Sequence, residues 1–377
     1  MKDAVTELAQ NVALPFDRAR AMPRSVYLSD DFLRAEQEHI FARDWICVGR
    51  FDQFAEPGDY VTTEIAGRPI MVIRDAGGTL RAQSNVCLHR MSTLLTGAGN
   101  TRSIVCPYHA WTYNLDGQLR GAPEMVQNAG FDRKDYRLPQ LRCDVWLGWV
   151  MVSLNPDPPA LETHLADVAA LIEPYGMADY SQTFQERHNW NTNWKVLAEN
   201  FMESYHLPVC HAGTIGSFVS LDEMDCPPGG AAWNYHSILK DPDAPLTNAH
   251  PSNTTMQGDQ RRTTVLVTIY PALCITLTPG YFWYLSLRPD GPDRVEILYG
   301  GGLSPDYVND PQSQAHFAQL KDLLDRVNDE DRGCTEAVYR GLSSGLAEPG
   351  HLSYLERPNY DFATYISSRI QSGTALS

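Results

Sequence analysis

Two short motifs constrain this chain more than any other feature of its sequence. They are Cys87-x-His89 and Cys106-x-x-His109, and sixteen residues separate them. Thiolate sulfur and imidazole nitrogen are ligands of zinc ions and of iron–sulfur clusters. Four such ligands on two short segments predict a metal centre, because four unrelated core residues seldom fall into this arrangement.

Two kinds of metal centre are open to this ligand set. A structural zinc ion takes two sulfurs and two nitrogens in a tetrahedron. A [2Fe–2S] cluster of the Rieske type binds one iron through two cysteines and the other through two histidines. Zinc sites of this composition usually run Cys, Cys, His, His, whereas here each motif carries one Cys and one His. That order favours the dinuclear cluster, in which each loop reaches both irons.

Length and charge exclude several classes of function. The chain has 377 residues, a net charge of −16 and 43% hydrophobic residues. This length predicts two domains, or one large domain with an insertion. The acidic balance repels nucleic acid and anionic lipid, and no run of eighteen apolar residues is present, so we expect neither nucleic acid nor membrane as a partner. The N-terminus has acidic residues where a signal peptide needs an apolar region, so we expect a cytoplasmic protein.

The eight cysteines indicate the same compartment. Only Cys87 and Cys106 stand in a pattern with histidines. The other six are scattered and lie mostly in apolar stretches. We therefore expect buried free thiols in a reducing compartment rather than a disulfide framework.

The first part of the chain predicts a helical segment followed by a small all-β domain. Within residues 1–45, positions 28–45 place apolar side chains at helical spacing, with Ser29 or Asp30 as the N-cap. We expect this segment to pack on the domain at the C-terminal end. Residues 46–155 contain short β-branched and aromatic runs between Gly, Pro, Asn and Asp, which is typical of hairpins.

Residues 156–377 predict a second domain that combines helices with antiparallel strands. It follows the Pro-rich stretch NPDPPA, which is typical of a linker. The patterns predict a helix over 161–176, a strand near 182–190 and a β-rich region over 262–303. A long helix is expected over 310–342. The fold class predicted for the whole chain is therefore α+β.

A second set of metal-ligating residues lies in the segment NWKVLAENFMESYHLPVCH. On a helix, Glu199, Glu203 and His206 share one face, and Pro208 then interrupts that helix before His211. Two histidines and one carboxylate form the facial triad of non-haem Fe(II) oxygenases. A pair of histidines at this spacing is weak evidence alone, and the cysteine–histidine motifs upstream strengthen it.

The first motifs resemble those of Rieske proteins. Cys87–Arg90 and Cys106–His109, the second followed by Trp111, are similar to the oxygenase version of the motif. The respiratory-chain version has disulfide-forming cysteines at the positions of Ser92 and Tyr108, and a serine hydroxyl that bonds the cluster at the position of Trp111. Fewer hydrogen bonds to the cluster imply a lower potential, suited to oxygen chemistry.

The second motif extends this resemblance to most of the chain. Glu203-x-x-His206-x4-His211, preceded by NWK and EN, is similar to the catalytic domain of Rieske non-haem iron oxygenase α subunits. The resemblance implies a small all-β Rieske domain and a helix-grip catalytic domain, which is an antiparallel sheet with flanking helices. The implied ligands are Cys87, His89, Cys106 and His109 for the [2Fe–2S] cluster, and His206, His211 and a downstream carboxylate for a mononuclear Fe(2+).

Three consecutive acids offer the third iron ligand: Asp329, Glu330 and Asp331. The family has an Asp there, commonly after a Glu, at the start of a helix that runs toward a QRGL-like segment. This chain has YRGL at Tyr339–Leu342. The resemblance therefore implies Asp331 as the ligand, with Asp329 as the next choice.

The resemblance also implies an assembly and a redox partner. In the family, an acidic residue at the position of Glu203 bridges a cluster histidine of one subunit to an iron histidine of its neighbour. We expect His109 to be that cluster histidine, and the assembly to be a ring-shaped homotrimer. No G-x-G-x-x-G fingerprint follows a predicted strand, so we expect electrons to come from a separate NAD(P)H-dependent reductase.

The aromatic run Tyr281–Tyr284 is the main sequence evidence about the substrate. In a strand, alternate members of this run face the same side, so one pair is expected to line a pocket or the core. Aromatic faces bind quaternary ammonium groups. Together with the acidic balance and the chain length, this resembles the branch that oxidises carnitine and glycine betaine by N-demethylation or C–N cleavage.

Other functions are consistent with parts of the sequence. The main rival is hydroxylation or O-demethylation of an aromatic carboxylate, which favours an Arg or Lys in the pocket. Mono- and dioxygenation are both open. An electron carrier without a catalytic site and a zinc-stabilised binding protein are further alternatives, and the region after residue 190 argues against the carrier.

Overall fold

The computed structural model describes residues 2–241 and 248–374. Contacts between residues divide the chain into two units. One is Phe41–Leu161, and the other joins Met1–Ile40 to Glu162–Ser377. Sequence patterns predicted divisions after residues 45 and 155. The predicted α+β class is confirmed, since one unit is built of strands and the other combines an antiparallel sheet with helices.

The unit Phe41–Leu161 is a β domain with two sheets. A seven-stranded sheet has the order β1-β10-β9-β4-β3-β2-β5, and a three-stranded sheet has the order β6-β7-β8. Its strands are β1 (Ile46–Arg50), β2 (Asp59–Ile65), β3 (Arg68–Arg74), β4 (Leu80–Ser84), β5 (Ala98–Asn100), β6 (Ile104–Val105), β7 (Thr112–Tyr113), β8 (Leu119–Gly121), β9 (Gln140–Trp146) and β10 (Trp149–Ser153).

The other unit contains the helices and a second seven-stranded sheet. The helices are α1 (Lys2–Val12), α2 (Arg24–Leu28), α3 (Asp30–Glu36), α4 (Leu161–His164, at the unit boundary), α5 (Ala166–Ile172), α6 (Trp194–Phe201), α7 (Leu207–Cys210), α8 (Pro305–Val308), α9 (Ser313–Ser343) and α10 (Arg357–Thr374). The strands are β11 (Ser181–Trp190), β12 (Met224–Asp225), β13 (Trp233–Leu239), β14 (Thr263–Ile269), β15 (Leu273–Leu277), β16 (Tyr281–Pro289) and β17 (Val295–Leu303).

The strands of this second sheet all pair antiparallel, in the order β11-β17-β16-β15-β14-β13-β12. The glycine run Gly300–Gly302 lies inside β17, where aromatic rings press on the backbone. A Cβ at Gly300 would come within 2.5 Å of the Tyr284 ring, and one at Gly302 within 2.6 Å of the Phe282 ring. These glycines therefore make room for side chains of the neighbouring strand.

The N-terminal helices belong to the unit that contains α6. Ser29 caps α3 by accepting a hydrogen bond from Phe32 N at 3.2 Å. The single helix predicted over 28–45 is wrong in extent, since α3 ends at Glu36 and one π-helical turn follows over Gln37–Phe41. The predicted helix over 161–176 is also divided, into α4, α5 and short 3₁₀ turns.

Two cysteines correct the expectation that the thiols outside the metal motif are free. Cys210 at the end of α7 and Cys334 in α9 form a disulfide. They are 124 residues apart in sequence, and the packing of α7 on α9 brings them together. The remaining six cysteines are free, and four of them are buried. No helix among the described residues is long and apolar enough to span a membrane.

Candidate metal centres

The two cysteine–histidine motifs occupy loops with the same backbone plan. One loop follows β4 and the other follows β6. In each, the residue four positions after the cysteine donates its N–H to the cysteine carbonyl: Met91 to Cys87 at 3.1 Å and Ala110 to Cys106 at 3.0 Å. Both donors have positive φ, 58° and 56°. The two turns therefore present a cysteine and a histidine in equivalent ways.

The sulfur side of this site is buried and the imidazole side lies toward the surface. Cys87 and Cys106 are 0% and 3% exposed, whereas His89 is half-buried and His109 is exposed. The two imidazole rings lie 4.7 Å apart, and His89 stacks on Trp111. His89 Nδ1 is buried without a hydrogen-bond partner among the described residues. An unpaired buried nitrogen beside two buried thiols fits a cluster ligand.

Hydrogen-bond donors surround both sulfurs, and the sequence did not predict them. Tyr113 Oη lies 3.4 Å from Cys87 Sγ. Burial by itself would raise the pKa of Cys106, but backbone N–H groups of its loop and the Ser92 hydroxyl hydrogen-bond its sulfur and lower that pKa. The site therefore stabilises negative charge on the Cys106 sulfur although Trp111 offers no hydroxyl, whereas burial raises the pKa of Cys87.

The second site lies where α6 ends, and two details of the predicted helix are wrong. α6 stops at Phe201, so Glu203 and His206 lie in the segment between α6 and α7 and do not share a helix face with Glu199. Pro208 does not end that helix but lies in the first turn of α7, where its missing N–H costs no hydrogen bond.

Three ligand atoms converge at this segment. His211 Nε2 and His206 Nε2 lie 3.1 and 3.4 Å from Asp331 Oδ1, and 3.3 Å from each other. No other group of three potential metal ligands is this close within the described ranges. Asp331 lies inside α9 rather than at a helix start, and it is buried, whereas Asp329 is exposed. We call His206, His211 and Asp331 the metal trio.

Two glutamates hold the outer nitrogens of these imidazoles. Glu203 Oε1 lies 2.6 Å from His206 Nδ1, and Glu330 Oε2 lies 2.7 Å from His211 Nδ1. This pairing leaves both Nε2 atoms directed at Asp331. Carboxylates orient metal-bound histidines in the same way. Sequence reasoning considered Glu330 only as a candidate ligand and missed this orienting contact.

Charges in the trio suit a cation. Burial would raise the pKa of Asp331, but hydrogen bonds from His206 and His211 outweigh it and lower that pKa to about 2. Burial would likewise lower the pKa of His206, but Asp331 and Glu203 raise it to about 10. A carboxylate that stays anionic between two imidazoles is the donor set of a non-haem Fe(II) site.

Glu199 lies outside this arrangement. Its carboxylate accepts hydrogen bonds from the Tyr27 hydroxyl at 2.7 and 3.0 Å. Burial raises the pKa of Glu199 to about 7. It belongs to the core between α2 and α6, so the helix-face argument that grouped it with the metal ligands was wrong.

A cavity of about 110 Å³ contains the metal trio in its wall. Tyr281 and Trp283 line it from β16, Phe201 lines it from the end of α6, and Phe218 lines it from a 3₁₀ turn after α7. Tyr281 and Trp283 are alternate residues of one strand, as the period of two predicts. The volume limits the occupant to a small molecule.

A β domain with a two-Cys, two-His site, joined to an α+β domain with a two-His, one-carboxylate site, defines a Rieske-type non-haem iron oxygenase. Comparison with protein families agrees. Residues 44–141 match the Rieske [2Fe-2S] domain, and residues 177–372 match the ring hydroxylating alpha subunit (catalytic domain). The chain belongs to the family of Rieske oxygenase α subunits, whose cofactors are a [2Fe–2S] cluster and a mononuclear iron.

Individual relatives narrow the comparison. The chain is 32% identical over 386 residues to the glycine betaine monooxygenase oxygenase subunit of Pseudomonas aeruginosa (strain UCBPP-PA14), covering 89% of this chain and 86% of the relative. It is 33% identical over 213 residues to the carnitine monooxygenase oxygenase subunit of Acinetobacter pittii (strain PHEA-2), covering 56% of this chain and 57% of that relative. Among solved structures, a quaternary ammonium Rieske monooxygenase in complex with L-carnitine matches with a TM-score of 0.79 and 25% identity, over 95% of this chain and 98% of the other.

Proposed function

We propose that this chain is an oxygenase subunit that hydroxylates a carbon next to nitrogen in a small quaternary ammonium or N-methyl compound. The observation that carries the proposal is the metal trio in the wall of a small cavity with four aromatic rings. Aromatic faces attract quaternary ammonium groups, most strongly where water is excluded. The relatives named for glycine betaine and carnitine support the same class of substrate.

The proposed metal ligands are the side chains that the structure brings together at the two sites. Cys87, His89, Cys106 and His109 would hold the cluster, and His206, His211 and Asp331 would hold the mononuclear iron. When bound, the cluster supplies single electrons and the iron supplies the chemistry of O2. The chain itself fixes the imidazoles through Glu203 and Glu330, keeps Asp331 anionic and shields the substrate in the cavity.

The reaction needs electrons that the substrate does not provide. One oxygen atom enters a C–H bond beside nitrogen, and the other leaves as water with two electrons and two protons. The hydroxylated carbon then breaks its C–N bond, which releases a tertiary amine and a carbonyl compound. We propose that a separate NAD(P)H-dependent reductase delivers the electrons, as the designation "oxygenase subunit" of the relatives implies.

We further propose a homotrimer in which Glu203 joins an iron histidine to a cluster histidine of the neighbouring subunit. Two observations support it. Glu203 already contacts His206 Nδ1 at 2.6 Å, and its side chain is partly exposed. His109 is exposed, whereas His89 is half-buried and stacked on Trp111. His109 is therefore the cluster histidine that a neighbouring subunit can reach.

An aromatic carboxylate is the second candidate substrate. The observation that favours it is Lys240, which lies in the cavity wall and can bind a carboxylate. Hydroxylation or O-demethylation of such a compound would use the same metal trio. An aromatic ring would also pack well on Trp283 and Phe201.

The experiment is turnover by the purified holoenzyme with a reductase of the relatives' systems, NADH and O2. We expect oxidation of glycine betaine or carnitine-type compounds, with formation of amine and carbonyl products and no turnover when the reductase is omitted. Benzoate and methoxybenzoates form the second arm. Oxidation of these aromatic acids without oxidation of any quaternary ammonium compound would replace the first proposal by the second.

A further inference from the structure

One part of the cavity wall carries a buried positive charge. Lys240 follows β13, is 7% exposed and lines the same cavity as the metal trio. Burial lowers the pKa of its ammonium group to about 8, and no carboxylate in residues 2–241 and 248–374 acts to raise it. A buried charge without a counter-ion is costly. This lysine is thus placed to gain from a negatively charged ligand.

Two hydroxyls in the same cavity wall lack hydrogen-bond partners. Thr264 Oγ1 on β14 and Thr276 Oγ1 on β15 are buried, line the cavity and make no hydrogen bond within the described part of the chain. Ile238 opposes Thr264, and Leu266 opposes Thr276. Lys240 is therefore the diagonal neighbour of Thr264, and Thr264 is the diagonal neighbour of Thr276, so Lys240 and Thr276 are the two ends of one diagonal across three strands. Such neighbours lie about 7–8 Å apart, within reach of a long side chain.

Lys240 and Thr264 are displaced from the metal trio along β13 and β14, whereas Thr276 is level with His236, because both lie opposite Leu266. His236, on the same face of β13, lies 2.6 Å from the hydroxyl of Ser204, two residues before His206. Lys240 is four residues further on, which corresponds to about 13 Å of strand. A ligand bound at both ends of the cavity would keep its anionic group away from the metal.

We infer that Lys240 and Thr264 form an anion subsite, and that the substrate is a zwitterion. Its carboxylate binds at this subsite, and its quaternary ammonium end faces the metal trio; this second half rests on the proposed function. The ammonium group and the hydroxyl can each donate to the carboxylate, so Lys240 gains a counter-ion and Thr264 gains the hydrogen-bond partner that it lacks. A compound with an uncharged alcohol in place of the carboxylate leaves Lys240 without a counter-ion, so it should be a poorer substrate.

The test compares matched probes on the holoenzyme with its reductase. Glycine betaine is paired with choline, and 4-(trimethylammonio)butyrate with 4-(trimethylammonio)butan-1-ol. We expect the wild-type protein to prefer the carboxylate of at least one pair by about 10-fold or more in kcat/KM. Lys240→Met should reduce that preference by roughly 10- to 100-fold, mainly through KM, because a charged hydrogen bond is lost. Lys240→Arg should recover part of it.

Controls separate recognition from folding. Methionine has nearly the length of lysine and removes an unpaired buried charge, so Lys240→Met should keep its iron, its cluster and its thermal stability. Thr264→Val should lower the preference in the same direction with less effect. Lys321→Met removes a lysine that pairs with Asp325 and Glu186 and does not line the cavity, so the preference should not change.

Calorimetric binding of the same probes keeps the two hypotheses apart. Binding of a carboxylate that depends on Lys240, without oxidation of any probe, would support the subsite and contradict the proposed reaction. Oxidation with equal preference in the wild-type and Lys240→Met proteins would overturn the subsite and leave the reaction in place. Absence of both binding and turnover for all four probes would overturn both.

Discussion

At the scale of single residues, burial separates the metal trio from similar residues nearby. Three acids follow one another at positions 329–331, and only Asp331 is buried and directed at both histidines. Glu330 contacts the outer nitrogen of His211, and Asp329 is exposed. The direction in which each side chain leaves α9 therefore gives three chemically similar residues three different roles.

Asp331→Ala should lose the mononuclear iron and all substrate oxidation, and keep the visible spectrum of the cluster, because the two sites share no ligand. Iron content per chain and the cluster spectrum measure the two effects separately. Asp329→Ala is the matched control and should keep both metals and activity. If the control lost the iron and Asp331→Ala kept it, the ligand would be two positions earlier than proposed.

At the scale of elements, α6 is held by a buried ion pair. Lys195 Nζ lies 2.7 Å from Glu36 Oε1, and the two side chains are 1% and 0% exposed. The pair ties α6 to α3, and Trp194 Nε1 donates to the other oxygen of Glu36 at 3.1 Å. Since Phe201 ends α6 and the turn that carries His206 follows directly, this pair supports the geometry of the iron site from outside it.

Lys195→Met should destabilise the unit by about 3–5 kcal/mol, because it leaves the Glu36 carboxylate buried without its counter-ion. Adding Glu36→Gln should recover a large part of the loss, since the amide is neutral and still accepts from Trp194. Urea unfolding followed by far-UV circular dichroism measures both. Lys321→Met, which breaks half-exposed pairs, should cost about 1 kcal/mol or less. Equal losses for the two single variants would contradict a special role for burial.

At the scale of the whole molecule, electrons have to pass from the cluster domain to the iron domain. Glu203 and Glu330 both fix an iron histidine through its Nδ1 atom. Only Glu203 is proposed to contact a second subunit. Variants of the two glutamates can therefore be compared. Both should disturb the orientation of an iron ligand, and only the Glu203 variant should also disturb electron transfer between subunits.

Glu203→Gln should keep both metals and accept electrons from the reductase at the normal rate. Reoxidation of the cluster by O2 and substrate should slow by roughly 10-fold or more, because loss of the charge weakens the contact between the two imidazoles. Stopped-flow absorbance of the reduced cluster measures this step, with product yield as a second readout. Glu330→Gln should slow reoxidation less. Equal effects of the two variants would show that Glu203 only orients His206.

The sequence by itself determined the features that depend on a few neighbouring residues. Spacings of two and three residues place Cys87 with His89 and Cys106 with His109 on single turns, so the cluster motif could be read without a fold. The period of two along β16 predicted that alternate aromatic residues would share a face. The α+β class followed from the same local patterns, because hydrophobic spacing reports helices and strands directly.

Tertiary structure decided what depends on packing between distant segments. The family resemblance implied Asp331, but its place beside His206 and His211 depends on the packing of α6 and α7 on α9, and the contact of α7 with α9 also joins Cys210 to Cys334. Lys240 and Thr264 become neighbours only through the register of β13 and β14. Local patterns carry no information about such pairs, since burial and pairing across a hundred residues are fixed by the folded chain as a whole.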